Sequence, residues 1–261
     1  MEGRVRDPGG GPRSRVTATQ LTVIVLASAA GALVKGVTGL GYPVLAVPLI
    51  ALVTGIEDAV VIVALPNLAA NIYLCWEARE HRHGARDLGR LVAFGAMGAV
   101  VGTVALVRLP ELPLRIALAC TIGYFVVQFL RHPELKVDEA TARRWSPLAG
   151  AVIGIMQGAV GVSGPVVATW LHGYRLPKQT YVFSITLIFG VTGAVQLATL
   201  GGQGEFTGER LLAAAAAAVP VALCIPLGVR LRQRLGGPAF ERAVLAVLVV
   251  SAISLVVEVL W

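Results

Sequence analysis

Long uncharged runs recur along this sequence, and they constrain the fold more than any other feature. Runs of 17 residues or more lie at 16–34, 36–56, 59–76, 91–107, 145–174, 179–204 and 211–229. Two shorter runs, 116–130 and 243–257, are flanked by charged side chains that can snorkel to a membrane surface. About 20 apolar residues in a helix cross the hydrocarbon core of a bilayer. The sequence therefore predicts an all-α polytopic membrane protein with the lipid bilayer as a partner.

Composition supports a membrane protein and gives no indication of nucleic-acid binding. The chain is 56% hydrophobic and 14% charged, whereas soluble domains carry roughly 25% charged residues. The net charge of +7 belongs to loops, because no basic stripe with interleaved aromatic residues indicates a nucleic-acid partner. Cys75, Cys120 and Cys224 stand singly in apolar segments, which is typical of packing residues and not of a disulfide or metal framework.

One stretch of the chain occurs twice. The sequence KGVTGLGYPVLAVPL at 35–49 aligns without gaps with QGAVGVSGPVVATWL at 157–171, an offset of 122 residues. In both copies a long apolar run enters a glycine cluster, and a proline then opens another apolar run. Glycine lets the backbone turn sharply or approach a ligand closely, and proline suits the first turn of a helix. Each copy is therefore interpreted as two helices that meet end to end at a break.

This duplication divides the chain into two halves of about five hydrophobic segments each. The predicted ranges are a disordered basic tail at 1–16, a first transmembrane repeat at 17–130, a polar cytoplasmic linker at 131–146 and a second repeat at 147–261. The predicted segments are about 17–36, 42–55, 58–76, 89–107 and 113–130, then 147–160, 165–174, 180–200, 210–229 and 239–259.

Loop charge predicts the orientation of these halves. The loops at 77–90, 131–147 and 230–242 are rich in arginine, and those at 108–113 and 201–209 are not. The positive-inside rule places the first three loops in the cytoplasm. If the first three segments each cross the membrane, the amino terminus is outside and the halves form an inverted-topology repeat. If the four arginines of the tail hold it inside, the first two segments count as one crossing or as a re-entrant pair.

The glycine-rich break followed by a proline and an apolar helix resembles the sulfite exporter TauE/SafE family. The turn Leu176-Pro177-Lys178 and the stretch GIEDA at 55–59 carry the same resemblance, which extends over roughly 17–260. The resemblance implies transport of sulfite, thiosulfate, sulfonates or other small organic anions across the cytoplasmic (inner) membrane. Lys35 and Tyr42 stand where small or apolar residues are common in the family, and Ser163 lies within the second glycine cluster.

A binding site for such an anion can be predicted from the residues themselves. Twofold recurrence of a broken helix is a pointer to a transporter's binding site near the bilayer midplane, where helix amino termini supply N–H donors and positive potential. Lys35 is the one cation within the uncharged stretch 16–56 and lies at the break; an intramembrane charge marks function by default. The predicted substrate-binding residues are Lys35, Gly36, Thr38, Gly39, Gly41, Tyr42, Pro43, Asn67, Asn71, Gln157, Gly158, Gly161, Ser163, Gly164 and Pro165.

Structural alternatives stand beside these assignments. Lys35 can snorkel from the end of its segment to the interface. Asn67 and Asn71 lie on one helix face and can bond a neighbouring helix instead of a substrate. Glycines such as Gly98 and Gly102 fit close helix packing. His81 and His83 lie in an arginine-rich loop and are expected in solvent, so no metal and no cofactor is predicted.

Three classes of function remain. The favoured class is a secondary anion transporter driven by a proton or ion gradient, since no P-loop pattern indicates ATP as the driving force. A channel-like or structural membrane subunit is the alternative, and a homo-oligomer is compatible with either. An intramembrane enzyme is less favoured and is not predicted, because the sequence contains no HExxH or GxSxG motif and no histidine or paired carboxylates placed as a buried catalytic set.

Overall fold

The computed structural model describes residues 16–85, 87–131 and 139–234, and every long regular element in these ranges is an α-helix. The helices are α1 (Ala18–Thr38), α2 (Tyr42–Thr54), α3 (Ile56–Glu77), α4 (Leu88–Arg108), α5 (Glu111–Arg131), α6 (Glu139–Val160), α7 (Gly164–His172), α8 (Lys178–Gly202) and α9 (Gly208–Arg234). A 3-10 helix, Arg79–Gly84, follows α3. Five of the helices, α1, α3, α4, α8 and α9, are long and apolar enough to cross a membrane. The predicted all-α membrane class is confirmed.

Some of the predicted ranges lie outside the described residues. These are the tail, apart from residue 16, the linker residues 132–138 and the last segment at 239–259. Within the remaining linker range, α6 already begins at Glu139. The other predicted segments each correspond to one helix; most helices extend one or more residues beyond the predicted range, whereas α2 and α7 end before the predicted residues 55 and 174.

Helices α1 and α2 form an antiparallel hairpin. The capping box of Thr17 and Gln20 begins α1, and the side chain of Gln20 also donates to the Val53 carbonyl near the end of α2, at 2.8 Å. The chain reverses within three residues because Gly39 and Gly41 adopt positive φ values of 81° and 113°, a region that suits glycine. The helices thus meet at the predicted break, but α2 folds back along α1, as in a re-entrant pair.

Close glycine contacts join two further pairs of helices. A Cβ atom added at Gly154 of α6 would lie 1.9 Å from the Gly95 carbonyl oxygen of α4, and one added at Gly98 would lie 2.3 Å from the Ala151 oxygen. In the same way, a Cβ at Gly36 of α1 would lie 2.5 Å from the Ile225 oxygen of α9. Small residues at helix interfaces allow backbones to approach closely in membrane proteins. The packing role predicted for the glycines of α4 and α6 therefore agrees with the structure.

Ion pairs link α3 and α9 at both ends. Arg210, at the start of α9, lies 2.7 Å from Glu57 and 2.5 Å from Asp58, at the start of α3, and it also pairs with Glu205. Arg232, near the end of α9, pairs with Glu77 at the end of α3. Helices α3 and α9 are therefore parallel, and their charged residues lie at opposite ends of the bundle. The arginine-rich loop that begins at Glu77 lies at the Arg232 end.

Candidate functional site

The two glycine turns converge on one small cavity. Its volume is about 10 Å³, which is space for roughly one water molecule. The lining residues come from both duplicated stretches and from the helices α3 and α8: Gly41, Pro43, Val44, Asn67, Gln157, Gly161, Val162, Ser163, Gly164 and Phe189. Seven of them were predicted from the sequence as substrate-binding residues: Gly41, Pro43, Asn67, Gln157, Gly161, Ser163 and Gly164.

The local backbone is alike at the two turns. The Gly39 N–H donates to the Lys35 carbonyl at 2.7 Å, and the Gly161 N–H donates to the Gln157 carbonyl at 3.0 Å. Gly161 has a φ of 70°, close to the 81° of Gly39. After each turn a short helix begins beside the cavity, α2 at Tyr42 and α7 at Gly164, with a proline in its first turn. Two helix amino termini, each carrying partial positive charge, thus lie at one cavity.

Asn67 brings a polar group to the cavity from the middle of the 22-residue helix α3. Its side chain is only 2% exposed, and its Oδ1 atom has no hydrogen-bond partner among the described residues. Buried polar groups normally have a partner, so an unpaired one calls for an explanation. A role in contacting a ligand is one such explanation.

Gln157 is held in place by hydrogen bonds. The Ser163 hydroxyl donates to Gln157 Oε1 at 2.9 Å, and Gln157 Nε2 donates to Gln196 Oε1 at 3.2 Å. Gln196 Nε2 in turn donates to the main-chain oxygen of Gln157 at 2.9 Å. The side chain of Gln157 therefore forms part of the wall of the cavity, and Gln196 positions it.

Lys35 lies next to the cavity, but it is not among the lining residues. Its side chain is fully buried, and in the described part of the chain Nζ has no hydrogen-bond partner. The ammonium lies 5.1 Å from the ring centroid of Phe189, which does line the cavity. This is within the range of a cation–π contact. The interpretation of Lys35 as a residue that snorkels to the surface is wrong, because the side chain has no exposed surface.

Other predicted residues have structural partners. The Thr38 hydroxyl donates to the Leu40 carbonyl at 2.5 Å within the first turn, and the Tyr42 hydroxyl pairs with Ser28 of α1 at 3.3 Å. A Cβ added at Gly158 would lie 2.4 Å from the Ala99 oxygen, so this glycine serves the contact with α4, as Gly36 serves that with α9. Pro165 lies in the first turn of α7. Asn71 is fully buried and its two amide atoms have no partner within the described ranges.

Four residues around the cavity were not among the predicted site residues. They are Val44, Val162, Phe189 and Gln196. Gln196 carries a usable signal, because it is a side-chain amide within an uncharged apolar run. Val44, Val162 and Phe189 carry none, since valine and phenylalanine are equally typical of surfaces that face lipid.

The site can contact a small ligand through hydrogen bonds and through one positive charge. Its groups are backbone N–H groups, a hydroxyl, carboxamides and one ammonium. The described residues contain no group of three or more His, Cys, Asp or Glu side chains that could hold a metal ion. His83 lies at the exposed 3-10 helix, where it accepts a bond from Arg82 at 3.3 Å.

Comparison with known proteins identifies the family to which the chain belongs. A curated protein named "Probable inner membrane transporter protein TsaS", from Comamonas testosteroni, is 24% identical over 178 residues, which are 67% of this chain and 73% of that protein. No solved structure matches the chain significantly. The family profile described as "Sulfite exporter TauE/SafE" matches residues 23–255. The chain is therefore a membrane transporter of the sulfite exporter TauE/SafE family.

Proposed function

We propose that this protein is a secondary transporter of a small sulfur-containing or organic anion, of the class of sulfite, thiosulfate or a sulfonate. The anion is held between the two glycine turns, near the membrane midplane. The observation that carries the proposal is the meeting of two helix amino termini at one cavity, with a buried ammonium one side chain away.

Electrostatics favours an anion over a cation or a neutral ligand. Helices α2 and α7 both begin at the cavity, and each amino terminus is equivalent to about half a positive charge. Lys35 contributes further positive potential, and in the described part of the chain no carboxylate lies on the cavity wall. In surroundings of low dielectric constant these charges act more strongly than they do in water.

The small volume of the cavity supports a transporter that alternates between open states. A space for about one water molecule is too small for sulfite or a sulfonate, so binding requires the two turns to separate. A channel would instead keep a continuous path. In this proposal the conformation described here is the closed one, between an opening to each side of the membrane.

Paired contacts support an inverted repeat as the machinery of this change. Gly36 of α1 packs against Ile225 and Gly228 of α9. Its counterpart, Gly158 of α6, packs against Ala99 and Gly102 of α4. The two contacts correspond along the chain: Gly158 follows Gly36 by 122 residues, and Ile225 and Gly228 follow Ala99 and Gly102 by 126 residues each. Helices α1 and α6 enter the bundle from opposite ends. Inverted repeats of this kind are a common basis of alternating access.

Orientation and location follow from charge and from the relative. The arginine-rich loop after α3 lies at the Arg232 end of the bundle, and the positive-inside rule places that end in the cytoplasm. The relative from Comamonas testosteroni carries "inner membrane transporter" in its name, which supports the inner membrane as the location here. Coupling to a proton or ion gradient completes the proposal.

The first test measures anion binding to the purified full-length protein in detergent. Sulfite, thiosulfate, methanesulfonate and acetate are titrated, and the melting temperature Tm is followed, because a ligand that binds the native state raises Tm in a saturable way. We expect a sulfur oxyanion or sulfonate to do so, and we expect Lys35→Met to raise its Kd about tenfold, a loss of about 1.4 kcal/mol. Arg108→Met, which removes a charge from the exposed end of α4, is the matched control.

The second test measures transport by the protein in sealed vesicles. A saturable flux that responds to a pH gradient or to membrane potential agrees with the proposal. A flux that does not saturate indicates a channel, and the absence of both binding and flux for all four anions contradicts the proposal.

A further inference from the structure

Asn71 presents a second unexplained polar group next to the cavity. It lies four residues after Asn67 in α3, about 6 Å further along the helix axis, on the side of Glu77. Its side chain has no exposed surface, and both Oδ1 and Nδ2 lack a partner among the residues that the structure describes. Unpaired amide atoms in a protein interior are unfavourable because they lose their bonds to water without replacing them, and Asn71 is not on the wall of the cavity.

Lys35 and Asn71 lie beside consecutive residues of α8, Lys35 beside Phe189 and Asn71 beside Gly190. The Lys35 ammonium lies 5.1 Å from the ring centroid of Phe189. A Cβ atom added at Gly190 would lie 3.9 Å from the Cβ of Asn71. The absence of a side chain at Gly190 leaves Asn71 close to the α8 backbone, while the Phe189 ring contributes to the cavity wall.

We propose that Lys35 and Asn71 form a second anion-binding position, and that the Phe189 ring separates it from the cavity. This inference rests on the proposed function and adds a step to it. When the position is empty, the ring is the partner of the Lys35 ammonium. When an anion passes the ring, the ammonium and the Asn71 Nδ2 group bind it in turn. Asn67 then serves the cavity, and Asn71 serves the next position on the path toward the Glu77 end of α3.

The test compares two substitutions of the same chemistry, one turn apart. Asn67→Leu and Asn71→Leu each replace a carboxamide with an apolar group of similar volume, and Asn67 Oδ1 and both Asn71 amide atoms have no partner within the described chain. Replacing a buried unpaired polar atom with an apolar group is nearly neutral or stabilising, so both variants should fold, and Tm without ligand verifies it. Gln203→Leu, a carboxamide replacement at the exposed end of α8, is the control.

Binding and transport are measured with sulfite, and with methanesulfonate as a second probe. We expect Asn67→Leu to weaken binding and to slow transport, each by about tenfold. We expect Asn71→Leu to leave Kd within about twofold of the wild type but to slow transport by about tenfold or more. A transport rate that falls while Kd is unchanged is the signature of a second position. If Asn71 were purely structural, Asn71→Leu would lower Tm and leave the flux per folded protein unchanged.

Two results would overturn the inference. If Asn71→Leu weakens binding as much as Asn67→Leu does, the two residues serve one site. If Asn71→Leu transports like the wild type, Asn71 has no place on the path. Both differ from a failure of the proposed function, in which the wild-type protein itself neither binds nor transports either probe.

Discussion

Gln196 of α8 bonds both the main chain and the side chain of Gln157, near the end of α6. Its Nε2 atom donates to the Gln157 carbonyl at 2.9 Å, and its Oε1 atom accepts from Gln157 Nε2 at 3.2 Å. One carboxamide thereby satisfies groups on a helix whose last carbonyls have no partner within the helix. The orientation of the cavity wall depends on this contact between α8 and α6.

Loss of Gln196 should therefore destabilise the fold. Gln196→Leu leaves the buried Gln157 Nε2 group without its partner and removes one of the two hydrogen bonds to the Gln157 carbonyl; an unpaired buried amide group is unfavourable by about 1–3 kcal/mol. We expect a clearly lower Tm for the detergent-solubilised protein. Gln203→Leu, at the exposed end of the same helix, should leave Tm within about one degree, as expected for a surface substitution. Equal Tm values for the two variants would contradict the role given to Gln196.

The ion pair of Arg232 and Glu77 should be sensitive to the removal of one partner. Arg232 has no exposed surface, and removing one partner of a buried ion pair destabilises by about 3–5 kcal/mol because the other charge remains buried. We expect Glu77→Gln to lower Tm, and Arg232→Met combined with Glu77→Gln to recover part of the loss. A double mutant as unstable as the sum of the single mutants would show that the two residues are not coupled. Glu209→Gln, on an exposed residue of α9, is the control.

The glycine contact of α4 and α6 makes a third prediction. Gly154→Ala places a methyl group where the Gly95 oxygen is only 1.9 Å away, so the two helices must separate. Overpacking of this kind is unfavourable by about 1–3 kcal/mol. Gly202→Ala, for which nothing lies within 4 Å, should be neutral or slightly stabilising because alanine favours helix. Thermal unfolding of the two variants side by side checks the contrast.

The second glycine turn makes a fourth prediction. A Cβ added at Gly161 would meet Val47 and Val60 at an ordinary 3.4 Å, but the residue has a φ of 70°. Gly161→Ala should thus destabilise through backbone strain alone, by roughly 1–2 kcal/mol. Gly161→Asn should be tolerated better, because asparagine adopts this conformation more readily. The Tm of Gly161→Ala, Gly161→Asn and the wild type is compared. If the Tm of Gly161→Ala equals that of the other two, backbone strain is not the reason for glycine at this position.

Much of the fold could be predicted from the sequence. Uncharged runs give the helices because a bilayer leaves few other ways to satisfy backbone polar groups. The convergence of Gly41 and Gly161 was also predictable, since a duplicated break suggests a shared site. The reversal between α1 and α2 was only one of two interpretations, because glycine permits a kink or a turn and the sequence does not choose between them.

The individual roles of side chains could not be predicted as well. Lys35 was found because a lone charge in an apolar run is conspicuous. Thr38 and Tyr42 were expected to donate to a ligand, but their hydroxyls bond Leu40 and Ser28 instead, and spacing alone does not reveal such orientation. Phe189 was missed because its significance depends entirely on its neighbours, the cavity and the Lys35 ammonium.

The double link of α3 to α9 has a mechanical consequence. Because α3 is fixed to α9 at both ends and α9 packs without a gap against α1, these three helices should move as one rigid body. Helices α4 and α6 form a second rigid body of the same kind. If the site opens as proposed, we expect one body to rotate against the other, with hinges in the short segments between them.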